Sequence, residues 1–404
     1  MATKVGIGHS EKTDSYEAGL EATRMALTEA GSQDVQLAMI FSTSRYDPKL
    51  IQAAVRSLLG VTPRIVGGYA VGIITRDLLA YDGYQLGIAV FASDSVAIDL
   101  FIESGLTEDE YKVGVALGNQ IKGKSYSSDP NVLLLYDSVN RLGKGLRLNM
   151  ATPLLEGMQA ALNPLPNLAG AGLVGDMQCR ESFQWFDDRI AQHSAIALVL
   201  SGKIQMDTAI MHGCRPASSY YTITKTDGPV VLEIEGRPAL DVIADLLGPE
   251  SGKTWRDYSF FVTLGVNKGE KWGYFNEDEY ANRLCMRVDK DRKGLVMFEP
   301  DLKPGSEIQL MYRSMDFKYI ARKAEALLER IEAQGRRPIF AFYIDCAGRA
   351  AAYSGLDEEE ATEVQKAIAS RMPLLGIYAG VEIGKVRQDV QALDWTGVLC
   401  VFSE

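Results

Sequence analysis

Histidine and paired cysteine are scarce in this sequence, and their scarcity limits the chemistry that the chain can perform. Among the 404 residues there are three histidines and five cysteines, and no two cysteines form a Cys-x-x-Cys pair. A structural zinc site needs about four such ligands close together, so we expect neither a metal nor another cofactor. The odd number of well-separated cysteines favours reduced thiols and therefore a cytoplasmic protein.

Long apolar runs and an excess of basic residues are missing as well. The apolar runs reach only the length of a strand, about eight residues, whereas a membrane-spanning helix needs about 20. The first residues, MATKVGIGHSEKTD, lack the basic start and the apolar stretch of a secretory signal. The formal net charge of −11 disfavours nucleic acid and an anionic membrane surface as partners, because both attract basic faces.

A pattern of alternating strands and helices is present in three copies. The copies run from KVGIGHS to YQLGIAVFAS, from SVAIDLFIES to AIALVLSG, and from SEIQLMYRS to TGVLCVFSE, while residues 204–304 contain mainly strands and hairpins. We predict an α/β fold with mixed sheets flanked by helices, built from three diverged β-α-β-α-β-β repeats plus a strand-rich insert. Residues 1–203 would form one domain with two repeats, and residues 204–404 a second domain with the insert and the third repeat.

A short polar group follows one strand of each copy, with a small oxygen or sulfur side chain three positions before an arginine. The groups are Ser42 with Arg45, Asp137 and Ser138 with Arg141, and Asp345 and Cys346 with Arg349. Ligands of α/β proteins bind at the carboxyl ends of parallel strands. The residues of the second and third groups are therefore candidate ligand-binding residues.

A Gly-rich strand also recurs, as GGYAVGI, GAGLVGD and GIYAGVE. Its seventh position is Ile73 in the first copy, Asp176 in the second and Glu382 in the third. The second and third copies thus combine a cation with an acid, and we interpret the first copy as degenerate. Close packing of strands explains the glycines better than phosphate binding, because the sequence has no phosphate-loop motif of the form GxxxxGK[ST].

Several stretches, taken in order, resemble the FIST family, with its N-terminal and C-terminal domains in tandem: VGIGHS, MHGCRPAS, EIEGRPALDVIADLLG, IDCAGR and LLGIYAGVEIG. The resemblance implies an intracellular sensory module of signal transduction that binds small ligands such as amino acids. Because we find no kinase, methyl-accepting or F-box segment, it also implies a separate downstream signalling protein as partner. The family pattern G-C-[ST]-x-A-G-E is altered here, since Gly68 replaces the cysteine and Ile73 the acid, and a C-terminal site is therefore favoured.

Arg349 and Glu382 are the residues that we expect to hold the two charges of an amino acid. A guanidinium binds a carboxylate through two parallel hydrogen bonds, and a carboxylate can hold an ammonium. Asp345, Cys346 and Tyr378 would line the pocket. The alternative is that Arg349 and Glu382 pair with each other in an internal salt bridge.

Two other functions fit the sequence. A thiolate at Cys346, stabilised by Arg349, would make a thiol-dependent enzyme for amino-acid-like substrates, although Asp345 opposes its ionisation. A ligand-free assembly scaffold is the third reading. His212 and Cys214 lie two apart in MHGCRPAS and are interpreted as part of a turn. We expect a ligand-binding sensor and not an enzyme.

Overall fold

The computed structural model describes residues 2–140, 147–248 and 262–404. Arg141, one of the predicted ligand-binding residues, lies outside these ranges. The helices of the described ranges are α1 Ser15–Ala30, α2 Pro48–Leu59, α3 Glu110–Lys122, α4 Ala151–Leu162, α5 Ala239–Leu247, α6 Lys318–Ala333, α7 Ala351–Ser354 and α8 Ala361–Ile368. None of them is both long and apolar enough to cross a membrane.

The strands are short and numerous. In chain order they are β1 Lys4–Ser10, β2 Leu37–Ser42, β3 Arg64–Tyr69, β4 Gly72–Thr75, β5 Leu79–Tyr81, β6 Leu86–Ala92, β7 Val96–Ser104, β8 Asn131–Asp137, β9 Val139–Asn140, β10 Arg147–Leu148, β11 Asn167–Leu173, β12 Gln184–Phe186, β13 Arg189–Ala191, β14 Ser194–Gly202, β15 Gln205–Met211, β16 Cys214–Pro216, β17 Tyr221–Asp227, β18 Val230–Ile234, β19 Arg237–Pro238, β20 Val262–Asn267, β21 Tyr280–Arg283, β22 Cys285–Asp289, β23 Gly294–Met297, β24 Glu307–Arg313, β25 Pro338–Cys346, β26 Leu374–Ala379, β27 Val381–Val386, β28 Asp389–Leu393 and β29 Gly397–Ser403.

In the part of the chain that the structure describes, three six-stranded sheets share one plan. Their strand orders are β1-β6-β2-β3-β12-β13, β7-β14-β8-β11-β27-β28 and β15-β29-β25-β26-β4-β5. The central pairs β2–β3, β8–β11 and β25–β26 are parallel, and their neighbours are antiparallel. The sheets are therefore mixed and flanked by helices, as predicted.

Each sheet takes its last two strands from a different part of the chain. The hairpin β4–β5 joins the third sheet, β12–β13 the first and β27–β28 the second. The prediction that GIYAGVE and GGYAVGI each form one strand is wrong. Each divides into two strands of different sheets, β26 and β27 in one case and β3 and β4 in the other.

Side chains from all three sheets meet in a central core. Along β25, Phe340, Phe342 and Ile344 face this core, while Ala341 and Tyr343 face the helix layer formed by α6 and α8. The ring of Phe342 stacks on that of Phe41 at 5.3 Å between centroids. Strands buried on both faces have continuous apolar sequences, which explains the run PIFAFYI.

The helices pack on the outer faces of the sheets. The glycines of β1 allow α1 to approach closely, because a Cβ at Gly8 would lie 1.8 Å from the carbonyl oxygen of Ala22. The helix begins after Asp14, whose side chain accepts a hydrogen bond from the amide of Glu17 at 2.9 Å. It ends at Gly31, which adopts a left-handed conformation with φ of 57°.

The strand-rich insert lies between β15 and α6. Its sheet has the order β21-β20-β24-β17-β18-β23-β22, with β16 against β24 and β19 against β18. The prediction that SEIQLMYRS begins the third repeat is wrong, because β24 pairs only with strands of the insert in the described residues. Instead β15 occupies the edge position that β1 and β7 have in the other sheets.

Candidate functional site

A cavity of about 300 Å³ lies at the ends of two parallel pairs of strands, β8–β11 and β25–β26. Ser138 follows β8, Asp176 follows β11, Cys346 ends β25 and Gly380 follows β26, and all four residues line the cavity. The structure therefore brings together three of the nine predicted residues, Ser138, Asp176 and Cys346. It does so at the kind of sheet edge where α/β proteins bind ligands.

A second wall of the cavity comes from the insert and from the end of β28, which the sequence analysis does not predict to contribute. The insert supplies Leu284, Cys285, Met286, Phe298 and Glu299, and the C-terminal segment supplies Asp394 and Trp395. Most of these side chains are apolar or contain sulfur. Glu299 and Asp394 are the exceptions, and both carboxyl groups are buried.

Glu299 takes the place of a capping residue for α4. Its carboxylate accepts hydrogen bonds from the amides of Ala151 and Thr152 at 3.0 and 2.8 Å. Met150, at the N-cap position, provides no side-chain hydrogen bond to the helix. Burial, reinforced by the charge of Asp394, raises the pKa of Glu299 to about 7 in spite of these donors.

Asp394 is the second acid of the cavity. It accepts a hydrogen bond from the amide of Leu284 at 2.9 Å. Burial raises the pKa of Asp394 to about 6, although nearby Arg283 acts in the opposite direction. Arg283 is itself paired with Asp301, with 2.8 Å between Nε and Oδ1. Glu299 and Asp394 therefore make this wall acidic.

Cys346 lies in the cavity wall with 7% of its surface exposed. Burial, and then the charge of Glu382, raise the pKa of its thiol well above the ordinary value. A nucleophilic cysteine needs the opposite shift. The environment of Cys346 therefore disfavours the thiol-dependent enzyme.

This environment makes alkylation a direct test. Iodoacetamide at neutral pH should modify the half-buried Cys179 first and Cys346 much more slowly, because the thiolate of Cys346 is rare and shielded. Peptide mass spectrometry over time measures the order, and protein unfolded in urea, where all thiols react, is the control. Modification of Cys346 before Cys179 would favour the enzyme.

Arg349, predicted to bind a ligand carboxylate, is instead part of a buried ionic network. Its guanidinium pairs with Glu360 and with Asp345, the latter at 3.2 Å, and donates to the carbonyl of Met211. Arg313 pairs with the other carboxylate oxygen of Glu360. Burial raises the pKa of Asp345 to about 7, which Glu360 reinforces and Arg349 opposes. These contacts suit a structural role.

Glu382, predicted to hold a ligand charge, and Tyr378, predicted to line the pocket, do not line the cavity. Glu382 lies on β27 opposite Ala171 and accepts a hydrogen bond from the amide of Thr396 at 3.3 Å. Burial and then the charge of Asp345 raise the pKa of Glu382 well above its ordinary value. Tyr378 is buried and donates to Glu359 at 2.8 Å.

The second predicted group is only partly at the cavity. Asp137 is buried behind Ser138 and accepts from the amides of Val139 and His193 at 3.0 and 2.8 Å. Burial raises the pKa of Asp137 to about 6. Asp176 accepts from the hydroxyl of Ser44 at 3.0 Å and faces both this cavity and a neighbouring one.

His212 and Cys214 have structural contacts. The amide of Cys214 donates to Nδ1 of His212 at 3.0 Å, and Nε2 of His212 lies 3.1 Å from the carbonyl oxygen of Glu277. The described residues contain no group of three or more histidine, cysteine or acidic side chains arranged to hold a metal ion.

The chain is similar to several proteins, and two of them match it over nearly its whole length. An uncharacterized protein of Mycobacterium bovis is 20% identical over 394 residues, which cover 95% of this chain and 94% of that one. An uncharacterized protein of Mycobacterium tuberculosis is 21% identical over 393 residues, or 95% of each chain. An uncharacterized protein of Methanocaldococcus jannaschii is 22% identical over 189 residues, covering 45% of this chain and 35% of that one.

Two cyanuric acid hydrolase structures show a distant likeness. The enzyme from A. caulinodans has a TM-score of 0.27 and 11% identity, covering 50% of this chain and 71% of that one. A second cyanuric acid hydrolase has a TM-score of 0.31 and 10% identity, covering 78% and 100%.

The family models match most of the chain. The FIST N domain matches residues 36–237, and the FIST C domain matches residues 239–385. The division predicted between residues 203 and 204 stays a prediction. With both domains matched in tandem, the chain belongs to the FIST family, whose domains are small-ligand sensory domains in signalling.

Proposed function

We propose that this protein is a small-ligand sensor and that its ligand binds in the 300 Å³ cavity as a compact amine with an apolar body, amino acids among the candidates. The observation that carries the proposal is the cavity itself, at the carboxyl ends of four strands and closed by the insert. Both family domains contribute to it, so a bound ligand would contact both.

The charge of the lining supports an amine. Within the described ranges, the charged residues of the cavity are Asp176, Glu299 and Asp394, all of them acidic. Asp176 is paired with Arg180 at 3.5 Å. Arg283 is close to the other two acids, but its charge is matched by Asp301. An ammonium in the cavity would be attracted to the remaining carboxylates, and the apolar walls would hold the body of the ligand.

Arg349 is proposed to support the cavity wall and not to bind the ligand carboxylate. Its network holds Ala347 and Gly348, which form part of the wall. Acidic residues of the described lining can therefore contact the ammonium of an amino acid. Its carboxylate cannot pair with Arg349, because Arg349 does not line the cavity. The downstream signalling protein and the cytoplasmic location stay predictions.

A matched set of ligands tests the proposal. Leucine, 3-methylbutylamine and 4-methylpentanoate share a branched apolar body. Leucine carries both charges, 3-methylbutylamine only the positive charge, and 4-methylpentanoate only the negative charge. We expect the amine to raise the melting temperature at pH 8, and 4-methylpentanoate to leave it unchanged. A differential scanning fluorimetry screen of the twenty amino acids and related amines extends the set. Stabilisation by the acid alone would contradict the charge argument.

Variants connect the binding to the cavity. Glu299→Gln and Asp394→Asn should each weaken amine binding roughly tenfold or more, because a charge-assisted contact contributes about 1.5–3 kcal/mol. Glu325→Gln removes an exposed carboxylate elsewhere and is the matched control. If isothermal titration gives one Kd for all four proteins, the ligand binds somewhere else.

A further inference from the structure

A second, larger groove of about 850 Å³ lies on another face of the molecule, where the two family domains meet. It runs between the end of α3, the edge strand β15 and the end of β27. Its basic lining residues are Lys122, Lys124, Arg330, Lys385 and Arg387. Such a concentration of cations is notable in a chain with a formal net charge of −11.

Most of these cations donate to neutral acceptors. The pairs are Lys122 with the carbonyl of Ala161 at 3.1 Å, Arg330 with that of Thr208 at 3.4 Å, Arg387 with that of Lys268 at 3.0 Å, and Lys385 with the side-chain oxygen of Asn167 at 2.7 Å. Lys124 differs, because it pairs with Asp99. Four positive charges therefore face the groove beside neutral partners.

The acids of the groove offset little of this charge. Asp207 is paired with Arg336 at 2.5 Å, and Asp278 with Lys323 at 2.6 Å. Neither of those partners lines the groove. Asp129 is the remaining acid of the lining, so an excess of positive charge is left.

The surroundings of Lys385 disfavour its positive charge. Its side chain is half-buried, and burial lowers its pKa, although the charge of Asp207 opposes this shift. A buried ammonium with a neutral partner is less well stabilised than one beside an anion. An anion in the groove would improve the surroundings of Lys385.

We propose that this groove binds a small organic polyanion, a phosphate ester or a polycarboxylate with at least two negative charges. The cations come from separate elements and line different parts of the groove, so one molecule with several anionic groups can contact more of them than a single anion can. The volume suits a metabolite-sized ligand. The acidic net charge of the protein opposes a nucleic acid as the occupant.

Isothermal titration with three probes at equal ionic strength tests the proposal. We expect pyrophosphate or citrate to bind and acetate, with a single charge, to bind much more weakly. Binding of pyrophosphate alone would indicate a phosphate ester, and binding of citrate alone a polycarboxylate. If neither binds more tightly than acetate, the proposal is wrong.

A pair of double variants locates the site. Arg330→Gln with Arg387→Gln should weaken binding roughly tenfold or more, since two charged contacts are lost from exposed positions that do not support the core. Lys318→Gln with Lys290→Gln removes the same charge from exposed positions outside the groove and should leave the Kd within about twofold. Equal weakening in both double variants would show a non-specific charge effect and overturn the proposal.

Discussion

Replacing Glu360 with alanine should lower the free energy of unfolding by about 3–5 kcal/mol, the usual effect of breaking a buried ion pair by removing one partner. Glu360 pairs with Arg313 through one carboxylate oxygen and with Arg349 through the other. All three side chains are buried. The alanine variant would leave two guanidinium groups facing each other, and among the described residues Asp345 would remain to compensate Arg349.

Urea denaturation followed by circular dichroism measures the loss. Glu358→Ala, two positions earlier and exposed, is the matched control and should change the free energy of unfolding by less than about 0.5 kcal/mol. Adding Arg313→Met to Glu360→Ala should restore part of the stability, because one of the two unpaired charges is removed. A variant as stable as the control would show that the network contributes little.

The network also connects the candidate site to the rest of the molecule. Arg313 lies at the end of β24 in the insert, and its guanidinium is 5.0 Å from the ring centroid of Trp395, which lines the cavity. Arg349 follows β25, and Glu360 precedes α8. The insert and the third sheet are thus held together beside the proposed ligand site. A ligand that displaces this wall would therefore displace residues of both.

The elements could be predicted from the sequence, but not the exchange of hairpins between sheets. Burial on both faces makes strands such as β25 visible as apolar runs. The same pattern does not reveal which strand lies beside which. Tyr378 and Glu382 are four positions apart, and the prediction placed both on one strand. The chain turns between them at Gly380, so Glu382 pairs opposite Ala171 in another sheet.

The sequence predicts only those residues of the candidate site that belong to a local motif. Ser138, Asp176 and Cys346 follow strands of the recurring units, and this position is a general signal for ligand binding. Glu299 and Asp394 are separated by a long stretch of chain and belong to no recurring motif. Their proximity arises from the packing of the insert against the end of β28, which belongs to the second sheet. Likewise, no spacing rule indicates that Arg349 pairs with Glu360.

The buried acids should make the protein more stable in mild acid than in mild base. Asp345 and Glu299 have folded pKa values of about 7, and Asp394 and Asp137 of about 6, all raised above their ordinary values. A raised carboxyl pKa means that the folded state holds more protons than the unfolded state between about pH 4 and pH 7. The stability that these protons provide is fully present below about pH 4 and is lost as the pH rises through the folded pKa values.

The size of the effect follows from the number of groups. One pKa unit corresponds to about 1.4 kcal/mol, so four groups give a loss of several kcal/mol between about pH 5 and pH 8. His212 acts in the opposite direction, because burial lowers its pKa and the unfolded state binds the proton more readily below about pH 6.5. Glu277, with a pKa lowered to about 2, stays ionised over this interval.

Urea denaturation from about pH 5 to pH 8 at constant ionic strength should show this loss, and Glu299→Gln should make the decline shallower by removing one of the four groups. Glu325→Gln, at an exposed position, should keep the decline of the wild type. A bound amine should reduce the decline too, because its positive charge favours the ionised carboxylates and its affinity rises with pH as Glu299 loses its proton. Stability that increases toward pH 8 in the unliganded wild type would contradict the assignment of raised pKa values. A decline identical in wild type and Glu299→Gln would remove Glu299 from the explanation and leave the other buried acids, Asp345, Asp394, Asp137 and Glu382, as its cause.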